Sequence, residues 1–542
     1  MTDHNMETFK PDRRLWCIFG VIGLLNFAAS LDATSLSVAL PTIAEDLDGT
    51  AIEAFWAGTS FLVASTVFQP TFAMFSDLFG RKWTLFTAVV AFTIGSILAG
   101  AAPNLKVLLG GRVIQGIGGG GIIALTEVLI ADLIPLRERG KWMGFRALTW
   151  ALGTVIGPII GGALAESAWR WIFWLNLPFC GLGLLGIPVF LKLRHDPISL
   201  REKLRQVDYA GAILFTASLT SFLIPLSWGG VMYDWNSWRT LVPLILGGVG
   251  MVAFTVFECY VSARPLIPMA IFRTPTIVIN YLACLLHGAI LFCILYYLPL
   301  YYEASLGYTA IIAGAAILPL TLTVAPLSAI ASILVSITGR YRWALWSGWA
   351  LTTLGLGLLY LLDSETTITQ WIFLTLVSGL GLGTLFSTMM LAVQASADPK
   401  FLSITASMSA FFRTLGQTMG VAIGGVVFQN RIHHEFSINP RLSEMADDLT
   451  ADAAGLVKHI QSLNAADILR VAMEVAYADA LKVVWLFLCG LAAVGLVGSF
   501  FVKGYSMNQA FKPSQGIEGE GTSGGGTTTN GEMGRVKDKQ VV

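Results

Sequence analysis

Charge is the scarcest resource in this chain. Only 13% of its 542 residues are Asp, Glu, Lys or Arg, against about 25% in an ordinary soluble domain. A surface that poor in charge does not dissolve a protein of this size, and 55% of the residues are hydrophobic. The formal net charge is zero, so there is no basic footprint for nucleic acid. Cysteine is sparse, and positions 17, 180, 259, 284, 293 and 489 all fall in apolar segments where a thiol acts as a small hydrophobe. Neither disulfides nor a metal cage is expected. No Asn-x-Ser/Thr sequon occurs, which argues against N-glycosylation. No nucleophile–base or metal-ligand constellation is evident, so the chain is not expected to be an enzyme. Gly181, Gly183 and Gly186 match GxGxxG but sit inside an apolar helix with no strand before them, which removes the dinucleotide reading.

What is present is a succession of apolar runs of about 20 residues, the length that crosses a bilayer as a helix. Spans are expected near 16–40, 54–76, 84–102, 106–132, 142–165, 171–192, 209–228, 240–261, 276–302, 310–336, 343–361, 369–393, 401–428 and 480–502. The fold class is therefore an all-α polytopic membrane protein with 14 transmembrane helices. An even count puts both termini on one side. Most of the 34 Lys and Arg residues fall on that side, while the loop holding Glu45, Asp46, Asp48 and Glu53 has none, so the termini are expected to be cytosolic.

Glycine is organised. Gly153, Gly157 and Gly161 recur every four residues and line one helix face, interrupted by Pro158. A face without side chains lets another backbone approach closely in lipid, and the proline bends the helix there. Gly416, Gly420 and Gly424 repeat the spacing far downstream. Gly80-Arg81-Lys82-Trp83 is likewise echoed in Gly339-Arg340-Tyr341-Arg342-Trp343. These repeats imply two homologous halves with a pathway between them. The fifth span answers to the thirteenth, a shift of eight, which two six-helix bundles explain if a helix pair is inserted between them. The resulting divisions are a disordered lead at 1–14, an N-terminal bundle at 15–193, a basic loop and inserted pair at 194–275, a C-terminal bundle at 276–502, and a Gly/Ser/Thr-rich disordered tail at 503–542. Within the second bundle, 430–479 carries Leu456, Ile460, Leu463, Ile468, Val471 and Val475 at mixed three- and four-residue steps. That pattern predicts one or two amphipathic helices on the membrane surface.

Ionisable groups inside spans are costly and usually serve a pathway. Asp32 lies about nine residues, and Arg112 about six, from the outer ends of their spans. At about 1.5 Å per residue they share a depth and can pair if their helices touch. Such a pair fits either of two roles, a static pin for helix register or a proton-exchange site. Glu127 lies about four turns from Arg112 on roughly the same face and is a third candidate for proton handling. Gln115, His287, Tyr296, Arg413 and Gln417 are candidates for the substrate pathway. Arg413 and Gln417, one turn apart, border the second glycine seam.

The motifs resemble those of the major facilitator superfamily. Asp77-Leu78-Phe79-Gly80-Arg81-Lys82 is similar to its cytosolic loop signature, Arg112-Val113-Ile114-Gln115-Gly116 to its helix 4 motif, and Gly153–Gly162 to its antiporter motif. Leu31-Asp32-Ala33-Thr34 with Val38-Ala39-Leu40-Pro41 resembles the helix 1 signature of the fourteen-helix drug:proton antiporter group, and the overall character resembles fungal toxin and multidrug efflux pumps. The resemblance implies two bundles rocking around a central cavity, with Asp77 and Arg81 locking the cytosolic side and Arg112 with an acid handling the proton. Ala73 replaces the usual first glycine of the loop motif, and Ser336 stands where its second copy would carry an acid. The expectation is a proton-coupled exporter of hydrophobic drugs, toxins or secondary metabolites. It would be a monomer in the cell membrane, with a proton gradient and no cofactor as its energy source. Its partners would be a small molecule, protons and the bilayer. An importer of iron chelates or nutrients, or a non-transporting receptor, are the competing readings.

Overall fold

The computed structural model describes residues 11–49, 51–165, 168–193, 199–229, 232–446, 449, 456–464 and 467–507. Apolar runs leave a bilayer-embedded backbone one economical choice, the helix, which satisfies every N–H and C=O internally. The long helices are α1 (Arg13–Asp46), α2 (Ala51–Phe79), α3 (Arg81–Gly100), α4 (Leu105–Leu133), α5 (Arg139–Ala165), α6 (Trp171–Phe190) and α7 (Tyr209–Trp228). They continue as α8 (Trp238–Tyr260), α9 (Pro275–Ala304), α10 (Ile311–Thr338), α11 (Arg342–Leu359), α12 (Ile368–Ser396), α13 (Leu402–Ile438) and α14 (Ile468–Phe500). Among the described residues, 12 helices are long and apolar enough to cross a membrane. The expected fourteen is reached only by adding α2, diluted by Thr59, Ser65, Thr66 and Gln69, and α11, which carries Arg342 and three tryptophans.

The packing repeats with a shift of eight. In the first half α5 lies on α1, α4 on both α2 and α3, and α6 on α1 and α3. In the second half α13 lies on α9, α12 on both α10 and α11, and α14 on α9 and α11. The inserted α7 and α8 pack on each other, and α7 leans on α2 and α13. Ile245, Leu246, Val249 and Val252 of α8 point outward and stay exposed, the pattern of a lipid-facing helix rather than a core one.

The echoed loops each hold a glycine at positive φ. Gly80 before α3 has φ 92° and Gly339 after α10 has φ 65°, backbone that a side chain resists by about 1–2 kcal/mol. Gly80→Ala should therefore lower the melting temperature of the purified protein, whereas Gly110→Ala, where a Cβ meets nothing within 4 Å, should not.

Two expectations change at the edges. Arg13 and Arg14 belong to α1 rather than to a disordered lead, because Arg14 donates to the carbonyls of Phe190 (2.9 Å) and Lys192 (3.0 Å). The segment 430–479 is not a separate surface module. Helix α13 runs on to Ile438, and Ile468, Val471 and Val475 already belong to α14, leaving Leu456–Ser462 as a short helix between them. The apolar steps there continue the adjoining spans, and a moment read over a window cannot tell an extension from a separate helix. The body of the tail, from residue 508, and residues 1–10 lie outside the described residues.

The two halves meet along two seams, α2 against α13 and α5 against α10. On the first, Thr66 Oγ1 lies 3.1 Å from Thr418 Oγ1 and Gln69 Nε2 donates to Thr414 Oγ1 at 2.9 Å. On the second, a Cβ at Gly140 would fall on Ser336 Oγ and the Ser332 carbonyl, and one at Gly144 would lie 3.1 Å from the Ala329 Cα. The glycine seams do not lie between the halves. Cβ atoms at Gly153, Gly157 and Gly161 would meet Ser30, Thr34 and Ser35 of α1; those at Gly416, Gly420 and Gly424 would meet Leu285, Ala289 and Cys293 of α9. Both seams are internal to a bundle. Pro158 lies beside Gly314, near the start of α10.

Candidate functional site

Asp32 and Arg112 pair as expected, Arg112 Nη1 to Asp32 Oδ2 at 2.5 Å, and both are buried to 1% exposure or less. The carboxylate has no spare acceptor facing a void. Its Oδ1 accepts from Gln115 Nε2 at 2.8 Å and Asn176 Nδ2 at 2.9 Å. The guanidinium donates also to the Ala57 carbonyl (2.8 Å) and Gln115 Oε1 (2.6 Å), and its carbon sits 4.4 Å from the Phe61 ring centre. Gln115 Nε2 reaches Ser96 Oγ at 2.8 Å. One ion pair thus ties α1, α2, α3, α4 and α6 together. Gln115 is consumed inside this network rather than lining a substrate path. Asn176 and Ser96 were not foreseen, since a neutral polar residue in an apolar run carries no distinguishing signal.

Glu127 does not join Arg112. It pairs with Arg146 of α5, Nη2 to Oε1 at 3.0 Å, with Glu127 fully buried. Four turns along α4 keep the same face but reach a different neighbour. Arg146 was missed because it lies on the loop-ward half of its span, where a cation is ordinarily interfacial. Across the bundle interface Arg146 and Arg413 both lie over the Phe386 ring, at 5.6 and 4.2 Å. Arg413 donates to the Phe386 carbonyl.

Beside Phe386 is a small cavity of about 20 Å³. Its walls are Ala147, Trp150 and Ala151 from α5, Leu291 and Leu295 from α9, and Val324 and Ala325 from α10, with Ser328 and Thr321 among its few polar groups. Both halves contribute, and the lining is almost wholly apolar. Of the predicted pathway residues, none lines this cavity. His287 lies behind Phe386, with Nε2 3.0 Å from the Leu382 carbonyl and its ring edge-on to Phe386 at 5.7 Å. Tyr296 faces the other half, its hydroxyl 3.3 Å from where a Gly58 Cβ would stand. Gln417 is buried on α13 one turn past Arg413.

The ends of the helices around residues 80, 135 and 400 hold a second polar cluster. Arg81 contacts Asp77 and donates to Asp132 Oδ2 (2.9 Å) and Ser76 Oγ (2.9 Å). Asp132 Oδ1 accepts from Ser403 Oγ of the other half at 2.6 Å, and Arg139 Nη1 reaches Gln394 Oε1 of the other half at 3.2 Å. Asp77 and Arg81 were expected to lock this side. Among the described residues, Asp132 and Arg139 make bonds that cross between halves here, and Arg81 holds Asp132 in place.

The chain is 49% identical over 513 residues to "MFS transporter L2" of a Phoma species, covering 94% of this chain and 86% of that protein. It is 35% identical over 522 residues to "MFS-type efflux pump LUC4" of a Fusarium species, covering 95% and 92%. In fold it is similar to the crystal structure of the human organic anion transporter MFSD10 (TETRAN), with a TM-score of 0.57 at 14% identity, covering 91% of this chain and all of that one. The Major Facilitator Superfamily model matches residues 22–424, and together with the repeated helix packing this shows that the chain is a multi-pass membrane protein belonging to the Major Facilitator Superfamily.

Proposed function

We propose that this protein is an efflux pump for hydrophobic secondary metabolites, driven by proton entry and working by alternating access in the cell membrane. The observation that carries the reading is the buried Asp32–Arg112 pair at the hub of five helices. In so dry a site a proton on Asp32 cancels its hold on Arg112, and a buried guanidinium stripped of its partner costs several kcal/mol unless water or movement relieves it. Protonation is thereby tied to opening. The apolar cavity supplies the complementary part, because a pocket with few polar groups selects by shape and tolerates several ligands. Relatives named as efflux pumps support the outward direction.

The test is transport in sealed vesicles with an imposed pH gradient, the cargo found by screening growth of a pump-deficient cell against a toxin panel. Export predicts substrate moving opposite to the proton, and co-movement would discard the reading. Alternating access also makes the crossing bonds at residues 132, 139, 394 and 403 a latch. Gly140→Val, which wedges a branched side chain onto Ser332 and Ser336, should push the halves apart there. Spin labels at the exposed positions Arg137 and Arg340 would report a longer mean distance, and an unchanged distribution would argue against a latch at this seam.

A further inference from the structure

The charges around Phe386 do not balance. Arg146 and Arg413 are both buried, at 5% and 4% exposure, and both lie over that one ring. Glu127 is paired with Arg146. Among the described residues no acid lies within ion-pair distance of Arg413, which contacts the Phe386 carbonyl, the Phe386 ring and the Cys284 thiol. His287, edge-on to the same ring, adds no anion. The Asp32–Arg112 pair is internally neutral, and so is the Arg81, Arg139, Asp77 and Asp132 group. The centre of the protein therefore holds one surplus positive charge, in a setting where an unpaired ion is expensive. It sits beside an apolar cavity, since Phe386 both lines the cavity and lies under the two guanidiniums. Arg146 Nε and Arg413 Nε are buried without hydrogen-bond partners, so each cation keeps a donor in reserve.

We infer that the cargo is an amphipathic organic anion, its apolar body in the cavity and its acidic group, a carboxylate or phenolate, on Arg413 with Arg146 beside it. Rotation of the Phe386 side chain exposes the guanidiniums to the cavity. A planar guanidinium suits a carboxylate because it can donate two parallel hydrogen bonds. An anion leaving the cytosol is also helped by an inside-negative potential. This inference rests on the efflux reading for its direction, but not for its charge preference.

The experiment uses full-length purified protein and three probes of one shape: 4-(1-pyrenyl)butyrate, its primary amide and 4-(1-pyrenyl)butylammonium. Binding is read by quenching of the cavity tryptophan, Trp150, as the signal lost in Trp150→Phe. The carboxylate should bind at least about tenfold more tightly than the amide, and the ammonium least, the sign expected from one uncompensated cation in low dielectric. Arg413→Gln should weaken the carboxylate by about tenfold or more and leave the amide unchanged, and Arg413→Lys should restore part of the preference. Glu127→Gln should act oppositely and tighten carboxylate binding, which a merely misfolded variant does not do. Equal binding of the three probes, or an equal loss for all three in Arg413→Gln, overturns the inference. Vesicle transport of the same probes separates the two readings. Binding that prefers the carboxylate with no movement against a pH gradient removes the efflux proposal and keeps the anion site. Transport of the ammonium or amide in preference to the carboxylate removes the anion site and keeps efflux.

Discussion

Asp32→Asn is expected to abolish concentrative export, a loss of at least about 100-fold, and to destabilise the protein at the same time. Both follow from one fact: Arg112 is 1% exposed and has no other acid within ion-pair distance among the described residues. Removing one member of a buried pair leaves a bare charge, at a cost of about 3–5 kcal/mol, and each 1.4 kcal/mol is about tenfold in a rate or equilibrium. Stability and coupling separate in the double variant. Asp32→Asn with Arg112→Gln leaves neutral amides among Gln115, Asn176, Ser96 and the Ala57 carbonyl, groups that can hydrogen-bond one another. Replacing both partners of a buried pair is often close to neutral. The double variant should therefore recover most of the lost thermal stability and still fail to move substrate uphill, while downhill equilibration persists. Uphill export surviving in it would assign the proton to another group, Glu127 first.

The second large effect is steric. Gly161→Val and Gly416→Val should each lower the yield of folded protein and the melting temperature far more than Gly20→Val or Gly110→Val. At Gly161 the new Cβ lands on the Ser35 backbone carbonyl, and at Gly416 on that of Leu285, whereas Gly20 and Gly110 face open space. A carbonyl cannot swing aside as a flexible side chain does, so the helices must separate. Overpacking of this kind costs about 1–3 kcal/mol, and more where backbone is displaced. If the halves rocked along these faces, the same variants would fold normally and fail only in transport. Normal melting with lost transport would assign the bare faces a sliding role.

Much of the architecture is local in origin and was readable without coordinates. Apolar runs of spanning length set the helices, the four-residue glycine period marked a face lacking side chains, and the shift between the two copies disclosed two bundles with an inserted pair. Depth along a helix is also local, because each residue advances it by a fixed rise, and this brought Asp32 and Arg112 to one level. Partner identity is not local. Periodicity says that Gly153, Gly157 and Gly161 share a face, but not that the face is filled by α1 of the same bundle rather than by the opposite half. Fifteen residues of helix return Glu127 to the face of Arg112, yet only the lateral arrangement of α4 and α5 hands it to Arg146. Asn176, Ser403 and Gln394 are ordinary polar residues until folding aims them at a carboxylate or a guanidinium. The sequence alone decided which segments cross the membrane and which surfaces permit close approach, since both depend on composition and helical pitch. Only the tertiary structure decided which surfaces meet, because helices in lipid are sorted by complementary shape and by the pairing of buried polar groups distant in the chain.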